Sequence, residues 1–227
     1  MQQRCLEARR LGRVGYSDAL ALQKELESAV IERRLPDQFL LLEHPHTFTL
    51  GRRSRNEGVL ATAERLRSLG IEVFEINRGG RITYHGPGQI VGYPIVDLSP
   101  HREDVHRYIR DIEEVLIRAL NDLGIDGFRI EGLTGVHTTE GKIAAIGVHI
   151  KRWVTTHGFA LNVNTDLSYY NWIVACEGEP VTSMELMLGR EIDAAEVEDR
   201  IIEHFREVFA YDHLLSTSDI LEPALAA

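Results

Sequence analysis

The segment RGGRITYHGPGQIVGYPIVDL, residues 78–98, joins a loop dense in glycine and proline to a strongly apolar run. Its first twelve residues contain five glycines or prolines beside two arginines, a tyrosine and a histidine. Glycine lets a backbone adopt positive φ and approach a ligand closely, and free N–H groups beside arginines suit an anionic or carbonyl-bearing substrate. A hairpin loop explains these glycines equally well, since the pattern is not G-x-G-x-x-G. The apolar run, residues 90–98, is rich in β-branched residues and predicts a strand.

Helix and strand patterns alternate on both sides of this segment. Apolar spacing predicts helices at residues 17–34, with Ser17 as N-cap, and at residues 62–69, 103–123 and 194–211. Strands are expected at residues 39–43, 71–76, 128–131, 142–150 and 157–164. Several of these strands follow one another too closely for helical crossovers, which predicts an α+β fold, or mixed-sheet α/β fold. No linker or repeat divides the chain, so we expect one domain over residues 1–227, with residues 214–227 as a peripheral tail.

Composition excludes several classes of protein. The 227 residues carry a formal net charge of −10, which argues against binding nucleic acid through a broad basic face. Two cysteines are too few for a disulfide scaffold and are wrongly arranged for a zinc site. The first residues lack a signal-peptide pattern, and no apolar run reaches the roughly 18 residues that span a bilayer. We therefore expect a cytoplasmic protein that contacts no membrane.

Lys142 and Cys176 are candidate reactive residues, and each also has an ordinary structural interpretation. Lys142 ends GVHTTEGK, which imitates a phosphate-binding loop, but five residues separate the glycines where four are required and Ile143 replaces the Ser or Thr. A solvated surface lysine is the ordinary interpretation. Cys176 lies where the apolar part of NWIVACEGEPVTS ends in a turn. It is either a buried inert thiol or a nucleophile activated by a nearby cation, whereas Cys5 has no indicated role.

The ten histidines show no metal-binding spacing, and we predict no metal site. His85 and His157 each precede a glycine inside a segment suspected of ligand contact, where they would orient a substrate or cap a loop. Arg52, Arg53 and Arg55 form the densest basic cluster. Such a cluster is usually a solvated surface, and its functional interpretation is a docking site for an acidic partner.

Taken together, RGGRITYHGPGQ, GKIAAIG, HGFALN and a later cysteine followed by VTS resemble the lipoyl(octanoyl) transferases, within the biotin and lipoate ligase superfamily. The resemblance extends from LLEHPHTFTLGRR onward over nearly the whole chain. It implies a mixed sheet flanked by helices, like the biotin/lipoate protein ligase catalytic domain. It also implies an acyltransferase that takes an octanoyl group from octanoyl-acyl carrier protein without ATP or another cofactor. The implied acceptors are lipoyl domains of 2-oxoacid dehydrogenases and the glycine cleavage H protein.

The same resemblance implies roles for individual residues. Cys176 matches the acyl-thioester nucleophile, and Lys142 matches the lysine whose charge favours the thiolate. The matching substrate-binding residues fall in three strips: Arg78, Gly79, Gly80, Arg81, Ile82, Thr83, Tyr84 and His85; Ala145, Ile146 and Gly147; Gly158, Phe159 and Ala160. Around the cysteine this chain reads Ala-Cys-Glu-Gly, where family members usually read Pro-Cys-Gly-Ile. Glu177 places a like charge beside the expected thiolate, which tends to disfavour it.

Two other functions remain open at the level of the sequence. An ATP-dependent lipoate or biotin protein ligase would use Lys142 and the glycine-rich loop to hold an acyl-adenylate, but would not need Cys176. A non-catalytic module that binds lipoyl domains would keep surface arginines without needing a cysteine and a lysine together. An acyl adduct on the enzyme distinguishes the transferase from both.

Overall fold

The computed structural model describes residues 3–54, 58–99, 103–174 and 179–215. The strands in these ranges are β1 (Cys5–Arg13), β2 (Asp37–Glu43), β3 (Thr47–Leu50), β4 (Glu72–Glu75), β5 (Ile82–His85), β6 (Gln89–Ile95), β7 (Val136–Thr138), β8 (Gly141–Lys151), β9 (Val154–Asn162) and β10 (His213–Leu215). The helices are α1 (Tyr16–Ile31), α2 (Ala63–Ser68), α3 (Val105–Asp122), α4 (Met184–Leu188) and α5 (Ala194–Val208), with a 3-10 helix at Leu167–Trp172.

The strands form two sheets. Seven lie in the order β10-β1-β2-β6-β9-β8-β7, and three lie in the order β4-β3-β5. In the large sheet β1 pairs in parallel with β2 and β10, and the other pairs are antiparallel. The predicted mixed sheet and the α+β fold class are therefore confirmed.

Helices cover both faces of the large sheet. Alternate residues of β2 point to opposite faces, so Phe39 packs among residues of α3 and α5 while Leu40 packs among residues of α1. This two-sided burial explains why β2 is a continuous apolar run rather than an alternating one. A separate apolar cluster, which includes Phe48 and Ile82, packs the small sheet against α2 and the 3-10 helix.

The predicted helices are confirmed, with corrections at their ends. The first begins at Tyr16, and its N-cap is Gly15 rather than Ser17. The ring of Tyr16, the first helical residue, is buried against Phe74 and His44. It ends at Ile31, and Arg33 then adopts a positive φ of 58°. The other three predicted helices differ from α2, α3 and α5 by a few residues at their ends.

The predicted strands need larger corrections. Residues 128–131 are not a strand: a single bridge joins Phe128 to His137, and the side chains of Phe128 and Ile130 are exposed. Conversely, the second half of the glycine-rich loop is strand β5, paired with β3. Strands β1, β3, β7 and β10 have no counterpart among the predictions. The sequence of β1, CLEARRLGR, is too rich in charged residues to be predicted as a strand. In the structure Glu7 of β1 is buried and accepts hydrogen bonds from Arg9 and Gln38.

Strand β10 includes Leu214 and Leu215, the first residues of the predicted tail, and the rest of that tail lies outside the described residues. No helix in the described ranges is both long and apolar enough to cross a membrane.

Candidate functional site

The first half of the glycine-rich loop is fixed against strand β8. The Gly79 N–H donates to the Val148 carbonyl over 3.0 Å. A Cβ added to Gly147 would lie 2.9 Å from Arg78 Cδ and 3.0 Å from the Gly79 carbonyl oxygen, so glycine at this position lets the loop approach the strand. The Arg78 guanidinium is then held by the Gly79 carbonyl and by the carbonyl and hydroxyl of Thr49.

The two shorter predicted strips are direct neighbours in the sheet. In the antiparallel register of β8 and β9, Ala145 pairs with Ala160, Ile146 with Phe159 and Gly147 with Gly158. The alanine and glycine pairs share one face because side chains alternate along a strand. Four side chains no larger than a methyl group thus form a smooth stripe, beneath the point where the loop crosses β8.

Two adjoining cavities lie around this stripe. The outer cavity, of about 450 Å³, is within the size range typical of small-molecule sites. It is lined by Arg52, Arg53, Arg78, Gly79, Gly80, Arg81, Ile82, Thr83, Val105, Ile109, Gly132, Leu133, Thr134, Lys142, Ala145, Ile146, Gly147, Val148 and Glu179. The inner cavity, of about 30 Å³, is lined by Tyr16, Arg78, Thr83, His85, Tyr93, Ala145, Ile146, Gly147, His157, Gly158, Phe159 and Ala160. Arg78, Thr83, Ala145, Ile146 and Gly147 line both cavities.

The histidines in and behind the inner cavity are held uncharged. Burial lowers the pKa of His157 to about 3, and the positive charge of Arg78 acts in the same direction. Burial also lowers the pKa of His44 to about 4 and that of His85 well below its ordinary value. Because burial also raises the pKa of Tyr16 to about 12, Arg78 is the charged group among the residues that line the inner cavity at pH 7.

Hydrogen bonds define the tautomer of His85. Gln89 donates from Nε2 to the Tyr84 carbonyl and to Asn162 Oδ1, so its Oε1 accepts from His85 Nδ1 over 2.9 Å. The unprotonated Nε2 of His85 then faces the Thr49 hydroxyl at 3.4 Å. The imidazole orientation is therefore set by buried neighbours.

The same network reaches the segment that follows Cys176 in the chain. Asn162 Nδ2 donates to the Thr182 carbonyl, and the Thr182 N–H donates to the Lys142 carbonyl. The Lys142 N–H donates in turn to the Pro180 carbonyl, and Lys142 forms a parallel bridge with Val181. Residues 180–182 thus run beside Lys142 at the start of β8, joined to it by this single bridge and two backbone hydrogen bonds.

Lys142 lies in the wall of the outer cavity and is 8% exposed. Its Nζ is 3.6 Å from Glu179 Oε2. Gly135, with φ of 125°, packs directly on the lysine stem: a Cβ there would lie 2.7 Å from Lys142 Cε. Lys142 is therefore not the solvated surface lysine of the ordinary interpretation.

The structure brings together most of the predicted site residues. All of them except Tyr84 and Cys176 line one of the two cavities. Tyr84 points away, because alternation in β5 sends Thr83 and His85 to the cavities and Tyr84 into the core of the small sheet, where its hydroxyl contacts His46 Nδ1. Cys176 and Arg55 lie outside the described residues, so their predicted roles stay predictions.

Several cavity residues were missed by sequence reasoning. Val105, Ile109 and Leu133 form an apolar wall of the outer cavity, and Glu179 contributes a carboxylate. The apolar periodicity of α3 indicated a buried face but not which end of it reaches a cavity. Glu179 had one available signal, its position three residues after Cys176 in the sequence.

The described residues contain no group of three or more His, Cys, Asp and Glu side chains that would hold a metal ion. Among the described residues, the charged side chains that line the outer cavity are Lys142, Glu179 and the arginines at positions 52, 53, 78 and 81.

Comparison with known proteins identifies the family. Residues 15–206 match the model of the lipoyl protein ligase A/B catalytic domain, and the chain belongs to this family. It is 49% identical over 219 residues to the octanoyltransferase of Solibacter usitatus, an alignment that covers 96% of this chain and 98% of the relative. It is 50% identical to the octanoyltransferase of Rubrobacter xylanophilus, covering 89% and 93% of the two chains. The chain is thus an acyltransferase enzyme.

Solved structures share the fold at low sequence identity. A lipoate protein ligase from Thermoplasma acidophilum, described with its E2 lipoyl domain, matches with a TM-score of 0.72 and 19% identity, covering 96% of this chain and 89% of the other. Lipoate-protein ligase A bound with ATP matches with a TM-score of 0.72 and 18% identity, covering 96% and 91%. Both likenesses show the lipoate ligase catalytic fold for this chain.

Proposed function

We propose that this enzyme transfers an octanoyl group from octanoyl-acyl carrier protein to a specific lysine of lipoyl domains, through a thioester on Cys176. The observation that carries the proposal is Lys142. This cation lies in the wall of a ligand-sized cavity, and its backbone is hydrogen-bonded to residues 180–182, which begin four residues after Cys176. A cysteine nucleophile needs a cation to favour the thiolate.

In the first half-reaction the Cys176 thiolate attacks the octanoyl thioester. A C–S bond forms to Cys176, and the bond to the carrier sulfur breaks. Lys142, as an ammonium, gives its proton to the departing carrier thiolate. The products are a free carrier thiol, an octanoyl-enzyme and a neutral Lys142.

In the second half-reaction the neutral amine of the acceptor lysine attacks the octanoyl-enzyme. A C–N bond forms, the C–S bond breaks, and the amine proton passes to Lys142 as the amide forms. The thiolate and the ammonium are both restored. The activated acyl bond of the donor supplies the driving force, so we expect no ATP and no cofactor to take part.

The acyl chain is expected along the stripe formed by β8 and β9. The outer cavity, at about 450 Å³, has the volume for an eight-carbon chain, and Ala145, Ile146 and Gly147 contribute small and apolar surface to its wall. Neutral histidines suit such a chain better than charged ones would, because they need no counter-ion. Burial of the octanoyl chain contributes about 0.8 kcal/mol per methylene.

The acidic carrier protein is expected to dock at the arginine side of the outer cavity. The backbone N–H groups of Arg52 and Arg53 donate to the Arg78 and Gly80 carbonyls, which ties both exposed arginines to the substrate loop. Local positive charge at this rim offsets the net charge of −10 and would speed encounter. Lipoyl domains are the proposed acceptors, in line with the lipoyl protein ligase family and with the structural neighbour described with its E2 lipoyl domain.

Intact mass spectrometry after incubation with octanoyl-carrier protein tests the proposal. We expect one octanoyl group on the wild-type enzyme and on Cys5→Ala, and none on Cys176→Ala. Transfer to an apo lipoyl domain should proceed equally with and without ATP and magnesium. Cys176→Ala with near wild-type transfer would refute the thioester, and use of free octanoate only with ATP would select the ligase chemistry instead.

A further inference from the structure

On the wall of the outer cavity, Lys142 and His137 both face one carboxylate oxygen of Glu179. Glu179 Oε2 lies 3.6 Å from Lys142 Nζ and 3.6 Å from His137 Nε2. His137 on β7 and Lys142 on β8 are cross-strand partners. The contact brings them together with Glu179, which lies far from both in the sequence. The proposed mechanism uses Lys142 alone of the three.

His137 is buried and is not committed to other hydrogen bonds. It is 3% exposed, and among the described residues neither of its ring nitrogens has a hydrogen-bond partner. The charged groups that face it are Lys142 on β8, Glu179 and, from α3, Glu113. Burial and then Lys142 lower its pKa, against the opposing effect of the two carboxylates, so the imidazole is neutral at pH 7. At 3.6 Å its Nε2 is too far from Glu179 Oε2 to form a hydrogen bond, and a slight approach would let a neutral imidazole donate to that carboxylate without adding a second cation beside Lys142.

Proton balance shows why Lys142 needs such a neighbour. An acceptor lysine carries an ammonium group at neutral pH, because its ordinary pKa is about 10.4. Two of its three protons leave before the amide is complete. In the proposed mechanism the acceptor attacks as a neutral amine and Lys142 receives the second proton, so Lys142 can also take the first only if it discharges that proton before the attack.

Glu179 is placed to accept that proton. Its side chain is 23% exposed, whereas that of Lys142 is 10% exposed, so the carboxylate has the better contact with solvent. We propose that Glu179 is the outlet through which Lys142 returns a proton to solvent, and that His137 is the neutral residue that aims the Glu179 carboxylate at Lys142. The inference rests on the proposed function, since it describes the second half-reaction.

The experiment starts from octanoyl-enzyme prepared with octanoyl-carrier protein and checked by intact mass, and it follows a single turnover. Two acceptors are compared at pH 7: an apo lipoyl domain, and hydroxylamine, whose amine is already neutral and sheds one proton. Glu179→Gln should slow transfer to the lipoyl domain roughly tenfold or more, while the rate with hydroxylamine stays near wild type. The defect with the lipoyl domain should shrink as pH rises and its lysine arrives neutral.

Variants of His137 separate its orienting role from packing. His137→Gln keeps an N–H donor that does not titrate and should transfer nearly as fast as wild type. His137→Phe fills the space without a donor and should show the acceptor-dependent defect of Glu179→Gln. Glu140→Gln, the same substitution at an exposed position on the turn between β7 and β8, is the matched control and should change neither rate.

The outcomes distinguish this inference from the proposed function. A wild-type enzyme that never gains the octanoyl mass overturns both. If the wild type is acylated but Glu179→Gln slows both acceptors equally, or forms no adduct, the proposed function stands and the proton outlet is refuted. His137→Gln as defective as His137→Phe would refute the orienting role of His137.

Discussion

The inner and outer cavities share Arg78, Thr83, Ala145, Ile146 and Gly147 in their walls but differ in volume and in charge. In the inner cavity, burial holds His157 and His85 neutral, and a hydrogen-bond network fixes the His85 ring. In the outer cavity Lys142 keeps an ion-pair partner in Glu179, and Arg52 and Arg53 lie exposed at the rim. We infer that the outer cavity, at about 450 Å³, takes the substrate, and that the inner cavity, at about 30 Å³, surrounds Arg78 with neutral histidines behind it.

The largest effect is expected from removing the charge at the centre of the outer cavity. Lys142→Ala should slow both half-reactions about a hundredfold or more, and should raise the pH at which Cys176 is alkylated by iodoacetamide. Lys142→Arg should restore the alkylation profile but not the rate, because arginine does not release its proton. Lys151→Ala, at the exposed end of the same strand, is the control. An unchanged alkylation profile in Lys142→Ala would leave the lysine without an electrostatic role.

The next largest effect is expected at the stripe between the cavities. A Cβ on Gly158 would lie 2.1 Å from the Gly92 carbonyl oxygen, which is backbone and cannot swing away. Gly158→Ala should therefore reduce the free energy of unfolding by about 3 kcal/mol or more. At Gly79 a Cβ would meet its nearest atom at an ordinary 3.7 Å, so Gly79→Ala should cost less than about 1 kcal/mol. Urea denaturation of both variants measures the contrast, and equal losses would contradict it.

A smaller effect concerns the pH dependence of stability. The folded-state pKa of His157 is about 3, below its ordinary 6.5, so the unfolded chain binds the proton first as pH falls. The contribution of His157 is complete above pH 6.5 and is lost progressively between pH 6.5 and 3. We expect the thermal midpoint of His157→Asn to fall less steeply than that of wild type between pH 7.5 and 5.

Asparagine is chosen at position 157 because His157 has a positive φ of 56°, which asparagine tolerates. The control is His106→Asn, at an exposed histidine of α3, whose pH profile should match that of wild type. Parallel profiles for His157→Asn and wild type would mean that His157 titrates alike in the folded and unfolded chain.

The smallest effect is expected at the rim of the outer cavity. Reversal of Arg52 and Arg53 to Glu should impair transfer from octanoyl-carrier protein more than from a small octanoyl thioester. Salt should mimic the defect, since charges at a rim act mainly on association and are screened beyond about 8–10 Å at physiological ionic strength. Reversal of Arg190 and Arg200, both exposed and remote from the cavity walls, makes the same change in net charge. Equal losses with both donors would identify Arg52 and Arg53 as an ordinary solvated surface.

Helices and strands were predicted correctly from the sequence where the pattern of apolar residues within one segment reports its burial. The periodicity of α3 and the apolar run of β2 were recognisable because each reports burial along a single element. Prediction failed at β1 and β3. The charges of β1 are satisfied by partners such as Gln38, and β3 begins two residues after Pro45, a residue type that ordinarily favours the end of a strand. Neither partner strands nor buried ion pairs can be read from one segment.

The sequence by itself determined the class of fold, the glycine-rich loop, the two strips on β8 and β9 and the choice of Lys142 and Cys176 as reactive candidates. Only the tertiary structure decided that Ala145–Gly147 faces Gly158–Ala160 in register, that Tyr84 turns away from the cavities, and that His85 and His157 are neutral. It also decided that Glu179 and His137 meet beside Lys142. The physical reason is that residue type and spacing act within a segment, whereas strand register, burial and charge partners arise between segments far apart in the chain.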